Sequence, residues 1–260
     1  MEYLTQVELA RGWRARHFSA ITSTNTELVA AAREGEPEGL CFVTEHQNAG
    51  KGRLGRSWDD LRGRSVLVSV LCYPDFDVAD FFAITAAMSL AALDVLEHFG
   101  VAPAIKWPND IMFGDAKLAG ILAETGESGL GRFVVVGIGL NVNQTQDELD
   151  ALGRPATSLR IQLGREVSAE EKQSVELGLI NEFQRLYLGL QDTFGANFAQ
   201  ILSRYRSRCS TLDCVVEVKL NDGESVSGRV LDISNQGHLL LELDSCIRSI
   251  AAGDVHHLYR

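Results

Sequence analysis

The segment Gly50-Lys51-Gly52-Arg53-Leu54-Gly55-Arg56 indicates fold and function more directly than any other part of the chain. Its G-x-G-x-x-G spacing matches the phosphate-binding turn of dinucleotide-binding folds. That turn needs a helix directly after it, and residues 57–64 show no apolar periodicity. The segment also carries three cations, whereas a dinucleotide turn holds phosphate with bare backbone. A basic loop that closes over a phosphate fits better, although this segment alone leaves open a solvated loop without a ligand.

The composition around this loop is that of a globular protein. The chain has 260 residues, of which 45% are hydrophobic and 23% charged, enough for a large domain with or without a small one. We find no apolar run long enough to cross a membrane and no secretory signal, so we expect a cytoplasmic protein without a membrane partner. The net charge of -11 disfavours DNA as a partner, because DNA binding relies on Lys and Arg.

The cysteines and histidines predict neither disulfides nor a metal site. The five cysteines include no C-x-x-C pair, so we expect reduced, mostly buried thiols. His256 and His257 are adjacent, and adjacent residues on a strand point to opposite faces. We assign no metal-binding side chain.

Hydrophobic patterning predicts both strands and helices over the first two hundred residues. The predicted strands are 13–21, 40–44, 65–73, 105–113, 118–125 and 133–142. The predicted helices are 24–33, 79–99, 170–194 and 197–208. Residues 47–63 form a long, charged loop, and 126–131 form a hairpin turn.

The pattern changes after residue 212. Short alternating strands are predicted at 215–220, 225–233, 239–243 and 246–251, with turns at 221–223 and 235–237. These residues predict a small all-β module. We therefore place a domain boundary near Ser210.

Two further segments combine charge with structure-breaking residues. In Lys106-Trp107-Pro108-Asn109-Asp110 the proline fixes a bend, and an ordinary turn explains Pro-Asn-Asp equally well. Lys117 introduces an apolar strand and is either an edge lysine or a lysine at the mouth of a pocket. Gly120 would then let a ligand approach the backbone.

Two other segments are ambiguous when taken alone. Gly137 and Gly139 each weaken a strong strand by about 0.5–1 kcal/mol, which a close ligand or a neighbouring backbone would justify. Core packing is the alternative. Ser23-Thr24-Asn25 is typical of a helix cap.

In order and spacing, these segments together resemble the biotin–protein ligase family. The matching segments are Ser23-Thr24-Asn25, Gln47 with residues 50–58, Lys106 to Asp110, Lys117 to Leu122, and Gly137 to Asn141. The resemblance implies an α/β (α+β) fold with a mixed sheet flanked by helices over residues 1–210. It also implies an SH3-like C-terminal β-barrel over residues 211–260. Biotin, ATP and Mg²⁺ are the implied ligands, and a biotin carrier protein is the implied partner.

The resemblance also assigns roles to individual residues. Lys117, Arg53 and Asp110 are implied as catalytic, with Asp110 near the acceptor lysine. The implied biotin contacts are Ser23, Thr24, Asn25, Gln47, Lys51, Gly52, Arg53, Lys117 and Gly120. The implied ATP or adenylate contacts are Gly50, Lys51, Arg53, Arg56, Trp58, Lys106, Asn109, Lys117 and Asn141.

The chain departs from the family pattern at two places. Lys51 and Leu54 stand where the family loop often has Arg, and Lys lacks the bidentate fork of Arg. We therefore expect a weaker hold on the adenylate but no loss of activity. About twenty residues precede Ser23, too few for a DNA-binding helix-turn-helix, so we expect a monofunctional ligase without repressor function.

Three other functions compete with this interpretation. A lipoate–protein ligase shares the fold and chemistry that the resemblance implies. A protein that only senses biotin or nucleotide would lack the catalytic set. A dinucleotide oxidoreductase is disfavoured by the missing helix. The oligomeric state stays open, a homodimer included.

Overall fold

The computed structural model describes residues 2–220, 223–244 and 246–259, and within them an eight-stranded mixed sheet forms the centre of the molecule. We call this the main sheet, and its strand order is β1-β2-β3-β4-β8-β7-β6-β5. Only β2 and β3 pair in parallel among these neighbours. The strands are β1 Thr5–Glu8, β2 Arg14–Phe18, β3 Leu40–Thr44, β4 Ser65–Cys72, β5 Ala104–Lys106, β6 Asp110–Phe113, β7 Ala116–Ser128 and β8 Gly131–Asn141.

Helices cover both faces of the main sheet, which confirms the mixed sheet flanked by helices. Helix α1 packs on β3, β4, β7 and β8, whereas α2 and α5 cover the opposite face and α6 packs on them. The helices are α1 Thr24–Arg33, α2 Phe82–His98, α3 Gln146–Asp150, α4 Leu159–Leu163, α5 Ala169–Asp192 and α6 Phe194–Ser207. Short 3-10 turns are Ala10–Gly12, Arg53–Gly55 and Val78–Asp80.

Strand alternation decides which side chains reach the functional face. In β4, Val68 and Val70 belong to the large core under α2, while Leu71 packs beneath α1. Because neighbouring residues on a strand point to opposite faces, Ser69 lies on the α1 face with Leu71. The paired residue of β8, Gly137, lies on that face too.

The predicted strand 105–113 is two strands. Lys106 pairs with Asp110 across a tight turn that contains Pro108, so β5 and β6 form a hairpin. Proline cannot donate a ladder hydrogen bond, which explains why the strand divides there. The patterning also missed β1, whose residues are mostly exposed and show no alternation.

Helix α2 corrects the expectation about membrane-crossing segments. Among the described residues one helical stretch, Val78–His98, is long and apolar enough to cross a bilayer by length and composition. Most of α2 is buried against the main sheet, α5 and α6. A helix that is apolar on all sides is typical of a buried core helix as well as of a membrane span.

A second sheet of five strands, which we call the C-terminal sheet, follows α6. Its order is β12-β11-β10-β9-β13. The strands are β9 Val215–Lys219, β10 Ser225–Ile233, β11 Leu239–Glu242, β12 Ile247–Ile250 and β13 Asp254–Tyr259. The last strand was not predicted. Of the turn predicted at 221–223, positions 221 and 222 lie outside the described residues, and the barrel and the boundary near Ser210 stay predictions.

All five cysteines are free, as expected. Four are buried and Cys246 is exposed. Burial raises the pKa of Cys41 and Cys72, which keeps these thiols protonated and unreactive.

Candidate active site

A cleft on the α1 face of the main sheet brings most of the predicted site residues together. Its floor is the middle of β7 and β8, and the glycine loop, residues 50–58, forms its rim. The lining residues are Ser23, Thr24, Asn25, Gln47, Lys51, Gly52, Arg53, Arg56, Ser57, Trp58, Asn109, Asp110, Lys117, Gly120, Ile121, Leu122, Gly137, Ile138, Gly139, Arg154 and Asp254.

The N-terminus of α1 supplies a buried polar corner of the cleft. The Thr24 backbone N–H and hydroxyl lie 2.8 and 3.1 Å from Gln47 Oε1. The Asn25 side-chain amide donates to Glu124 Oε2 at 2.9 Å and to the Leu122 carbonyl at 3.1 Å. Ser23 occupies the cap position, but its side chain makes no capping hydrogen bond. Helix capping alone therefore does not explain the Ser-Thr-Asn segment.

Ser69 completes this corner and was missed by the sequence reasoning. Its hydroxyl lies 2.6 Å from Asn25 Oδ1 and 2.7 Å from Thr24 Oγ1. A serine in the middle of the buried, otherwise apolar centre of β4 was the available signal, because a buried hydroxyl needs a partner.

The two glycines of β8 make room for side chains rather than for a neighbouring backbone. A Cβ on Gly137 would lie 2.1 Å from Asn25 Oδ1. A Cβ on Gly139 would lie 2.5 Å from the Trp58 indole. Gly120 is similarly crowded, with Lys117 and Trp58 atoms at 3.0 Å. The glycines thus let two predicted ligand-contacting side chains, Asn25 and Trp58, lie against the sheet.

The glycine loop folds back on itself. Trp58 N–H donates to Gly50 O at 2.9 Å, and Gly52 N–H donates to Arg56 O at 2.8 Å. The 3-10 turn Arg53–Gly55 forms its tip, with Leu54 at φ 56°. A Cβ on Gly50 would lie 2.4 Å from Trp58 O, and Gly50 does not line the cleft. Gly50 lets the two arms of the loop approach each other, and its adenylate contact stays a prediction.

The cations of the loop each face a polar partner. Lys51 Nζ lies 3.6 Å from Glu124 Oε1, and Arg53 Nη1 donates to Asn109 Oδ1 at 3.1 Å. Burial lowers the pKa of Arg53, and the nearby Asp110 carboxylate opposes that shift. Arginine stays charged at neutral pH even so.

Lys117 and Asp110 form an ion pair in the floor of the cleft. Lys117 Nζ lies 2.5 Å from Asp110 Oδ1. Strands β6 and β7 are paired neighbours, with Asp110 opposite Gly120 and Met112 opposite Lys117, so the two charged residues lie on adjacent strands. Lys117 Nζ is also 5.6 Å from the centre of the Trp58 ring.

The charge of the cleft is opposite to that of the chain. Five cations line it, whereas only two carboxylates do among the described lining residues. The whole chain carries a net charge of -11. Such a local excess of positive charge suits an anionic ligand, as we expected from the sequence. The cations are Lys51, Arg53, Arg56, Lys117 and Arg154, and the carboxylates are Asp110 and Asp254.

Besides Gly50, two further predicted nucleotide contacts, Lys106 and Asn141, lie outside this lining. Lys106 borders a separate groove with Met112, Asp115 and the two C-terminal histidines. The Asn141 amide donates to Thr157 O at 3.0 Å and accepts from Gln144 at 3.2 Å. The segment after β8 covers Asn141, so its hydrogen bonds are made within the protein. Besides Ser69, sequence reasoning missed Glu124, Arg154 and Asp254 as site residues.

Trp107 ties the Lys-Trp-Pro-Asn-Asp turn to the C-terminal sheet. Its indole N–H donates to Gly237 O at 2.8 Å, and its backbone N–H donates to Thr211 Oγ1 at 3.1 Å. Tyr205 hydroxyl donates to Pro108 O at 2.9 Å. This buried tryptophan therefore supports the turn that carries Asn109 and Asp110.

Comparison with known proteins agrees with this geometry. Residues 17–141 match the biotin/lipoate A/B protein ligase family, and residues 216–258 match the biotin protein ligase C-terminal domain. A biotin–[acetyl-CoA-carboxylase] ligase of Mycobacterium tuberculosis is 37% identical over 254 residues, 95% of this chain and 90% of that protein. The chain belongs to the biotin protein ligase family. As a member of it, the chain is an enzyme of the ligase class.

Other relatives support the same family assignment. The bifunctional ligase/repressor BirA of Escherichia coli is 30% identical over 237 residues, 90% of this chain and 71% of that protein. The fold resembles the solved biotin protein ligase of Aquifex aeolicus in complex with biotin and ATP. The TM-score is 0.78 at 23% identity, covering 95% of this chain and 99% of that chain.

Proposed function

We propose that this biotin protein ligase activates biotin with ATP and transfers biotin to a lysine of a carrier protein. The observation that carries this proposal is the cationic cleft beside the buried Ser69–Asn25–Gln47 corner. The corner offers hydrogen-bonding groups for an uncharged polar ring system, and the cations suit the phosphates. The relatives named as biotin–[acetyl-CoA-carboxylase] ligases indicate a carboxylase carrier protein as the acceptor.

In the first step a biotin carboxylate oxygen attacks the α-phosphorus of ATP, and the bond to pyrophosphate breaks. Both reactants are anions, and one unit pair at about 4 Å costs roughly 4 kcal/mol at an effective dielectric of ~20. Lys117, Arg53 and Lys51 are positioned around the cleft to offset that repulsion. They would also stabilise the charge that spreads over the phosphoryl oxygens.

Magnesium fits this site as an ion carried by the triphosphate. Mg²⁺ prefers oxygen ligands and is usually held through one or two carboxylates and substrate phosphates. The cleft carboxylate Asp110 is paired with Lys117, and Glu124 beside the cleft contacts Asn25 and Lys51. These carboxylates do not form a dedicated metal cage, and Mg²⁺ would supply further neutralisation of phosphate charge.

In the second step the lysine amine of the carrier attacks the biotinyl carbonyl carbon, and the bond to AMP breaks. The amine must be neutral to attack, and one of its protons must leave. Asp110 lies in the cleft beside Lys117 and is the carboxylate that we propose to orient the amine or accept that proton. The glycine loop would exclude water from the reactive mixed anhydride in the meantime.

Assays of pyrophosphate release and of biotin binding separate two alternative functions. With ATP and Mg²⁺ present, biotin should support release and lipoate should not. Release with lipoate alone would make the chain a lipoate ligase. Binding of biotin without release would make it a sensor. The cytoplasmic location, the absence of DNA binding and a homodimer stay predictions.

A further inference from the structure

The C-terminal sheet contributes one carboxylate to the cleft. Asp254 is the first residue of β13, and it lines the cleft together with Arg56 of the glycine loop. Arg56 Nη1 donates to Asp254 Oδ1 at 3.2 Å, and Arg56 Nη2 contacts the second carboxylate oxygen. The two residues are 198 positions apart in sequence.

This contact is one of two anchors of the loop tip. On one side of the 3-10 turn, Arg53 donates to Asn109 of the main sheet. On the other side, Arg56 faces Asp254 of the C-terminal sheet. Arg56 N–H donates to Arg53 O at 3.2 Å, and this hydrogen bond joins the two anchored residues into one closed turn. Fixing Arg56 therefore fixes the position of Arg53 and of the whole tip.

The contact with Asp254 holds the Arg56 side chain without using all of its hydrogen-bond donors. A guanidinium group has five N–H donors in a rigid fork. Asp254 engages the two terminal nitrogens, and the Arg56 side chain is still 58% exposed. Donors thus remain for a phosphate oxygen while the carboxylate holds the group in place.

We propose that Asp254 is a positioning residue that holds Arg56, and with it the glycine loop, at the edge of the cleft. The expected effect on KM for ATP rests on the proposed function, whereas the contact between Arg56 and Asp254 does not. A loop that is already anchored loses less conformational freedom when ATP binds. The C-terminal sheet thereby contributes to nucleotide affinity through one ion pair.

Steady-state pyrophosphate release tests the proposal. Asp254→Asn should raise KM for ATP about two- to five-fold, the range expected from an exposed ion pair, and leave kcat unchanged. Asp254→Glu, which keeps the charge, should restore most of the affinity. A variant that merely misfolded in part would lower kcat instead. An unchanged or lower KM for ATP in Asp254→Asn would overturn the proposal.

Two controls make the test specific. Glu224→Gln breaks the bidentate ion pair between Glu224, which directly precedes β10, and Arg248 of β12, and should leave KM unchanged because neither residue lines the cleft. In an Arg56→Ala background, Asp254→Asn should add no further loss, because the pair is already broken. Additive losses would show that Asp254 acts without Arg56.

Limited trypsin digestion without biotin or ATP separates this inference from the proposed function. Asp254→Asn should be cut faster after Arg53 and Arg56 than the unmodified protein, whereas Glu224→Gln should not. If biotin did not support pyrophosphate release but Asp254→Asn was still cut faster, the anchoring role would be supported and the proposed function would be contradicted. Equal cleavage of Asp254→Asn and the unmodified protein would contradict the anchoring role of Asp254, whatever the enzyme assay showed.

Discussion

At the scale of single residues, the site is built from pairs that neutralise each other's charge or polarity. Lys117 faces Asp110, and Arg53 faces Asn109. Such pairs hold long side chains in place before a substrate arrives, which is how a preorganised site stabilises developing charge. The residues with the strongest individual effects should therefore be those whose groups face the reacting atoms.

Lys117 is the first of these residues. Lys117→Ala should lower the rate of pyrophosphate release by about 10²–10³-fold or more, the loss typical when one group stabilising transition-state charge is removed. Lys172→Ala is the matched control, since Lys172 pairs with Glu45 outside the cleft. Near-normal release by Lys117→Ala would contradict the assigned role.

Asp110 should matter more for the second step than for the first. Asp110→Ala should slow transfer of biotin from preformed adenylate more than it slows adenylate formation, because the amine proton leaves only in transfer. Single-turnover measurements of the two steps compare them directly. Equal losses in both would indicate that Asp110 acts only by holding Lys117.

Gly137 tests the role of the polar corner. Gly137→Ala places a methyl group 2.1 Å from Asn25 Oδ1 and 2.8 Å from Ser69 Oγ, so both must move. We expect a loss of about 1–3 kcal/mol in stability and a rise in KM for biotin. Gly129→Ala is the control, since a Cβ there meets open space. Unchanged biotin affinity in Gly137→Ala would show that the polar corner does not bind biotin.

At the scale of elements, the alternation along β7 and β8 selects which residues reach the cleft. Gly120 pairs with Gly139 and Leu122 with Gly137, so one face of this hairpin forms the floor. The apolar patterning predicted both strands and their hairpin, although β7 extends to Ser128 and β8 begins at Gly131, so that the turn is shorter than predicted. The lateral neighbours could not be predicted, because the paired residues of β4 and β8 are far apart in sequence, from Cys72 with Val134 to Ser65 with Asn141, and their register depends on tertiary packing.

The glycine loop carries the element-scale prediction. Saturating biotin and ATP should protect the loop from trypsin after Arg53 and Arg56, because phosphate would bind these cations and order the tip. The rate of cleavage with and without ligands is the measurement. Cleavage at an equal rate under both conditions would mean that the loop does not close over the adenylate.

At the scale of the whole molecule, a buried carboxyl outside the cleft lining, that of Glu176, should contribute to the pH dependence of stability. Burial raises the pKa of Glu176 from 4.5 to about 7, with Glu45 raising it further and Lys172 opposing. His17, whose pKa burial lowers, faces the same carboxyl. A raised pKa in the folded state means that Glu176 favours folding at low pH and loses that contribution as pH rises through about 7.

Glu176→Gln removes this titration. From the shift between 4.5 and about 7, the variant should gain about 3 kcal/mol relative to the unmodified protein between pH 4 and pH 8. The difference in Tm, measured by calorimetry across that range, should grow as the pH rises. Glu182→Gln, a more exposed carboxylate on the same helix, is the control. Parallel Tm profiles for Glu176→Gln and the unmodified protein would contradict the assignment.

The whole molecule also shows what the sequence could and could not predict. The order and spacing of the five motifs predicted the fold class and most of the cleft residues. These residues could be predicted because each motif is a short segment whose residues are close together in sequence. Asp254 and Ser69 were missed because they reach the cleft through pairings between distant segments. Lys106 and Asn141 lie outside the cleft lining, Lys106 beside a separate groove and Asn141 beneath the segment that follows β8, and their contacts to the nucleotide stay predictions.

The most direct test of the central claim is intact-mass spectrometry of a biotin-carrier domain incubated with this protein, ATP, Mg²⁺ and biotin. We predict that the carrier gains the mass of one biotin less one water. The gain should disappear when the carrier's acceptor lysine is replaced or when the Lys117→Ala enzyme is used. An unmodified carrier after incubation with active, folded protein would contradict the proposed transfer.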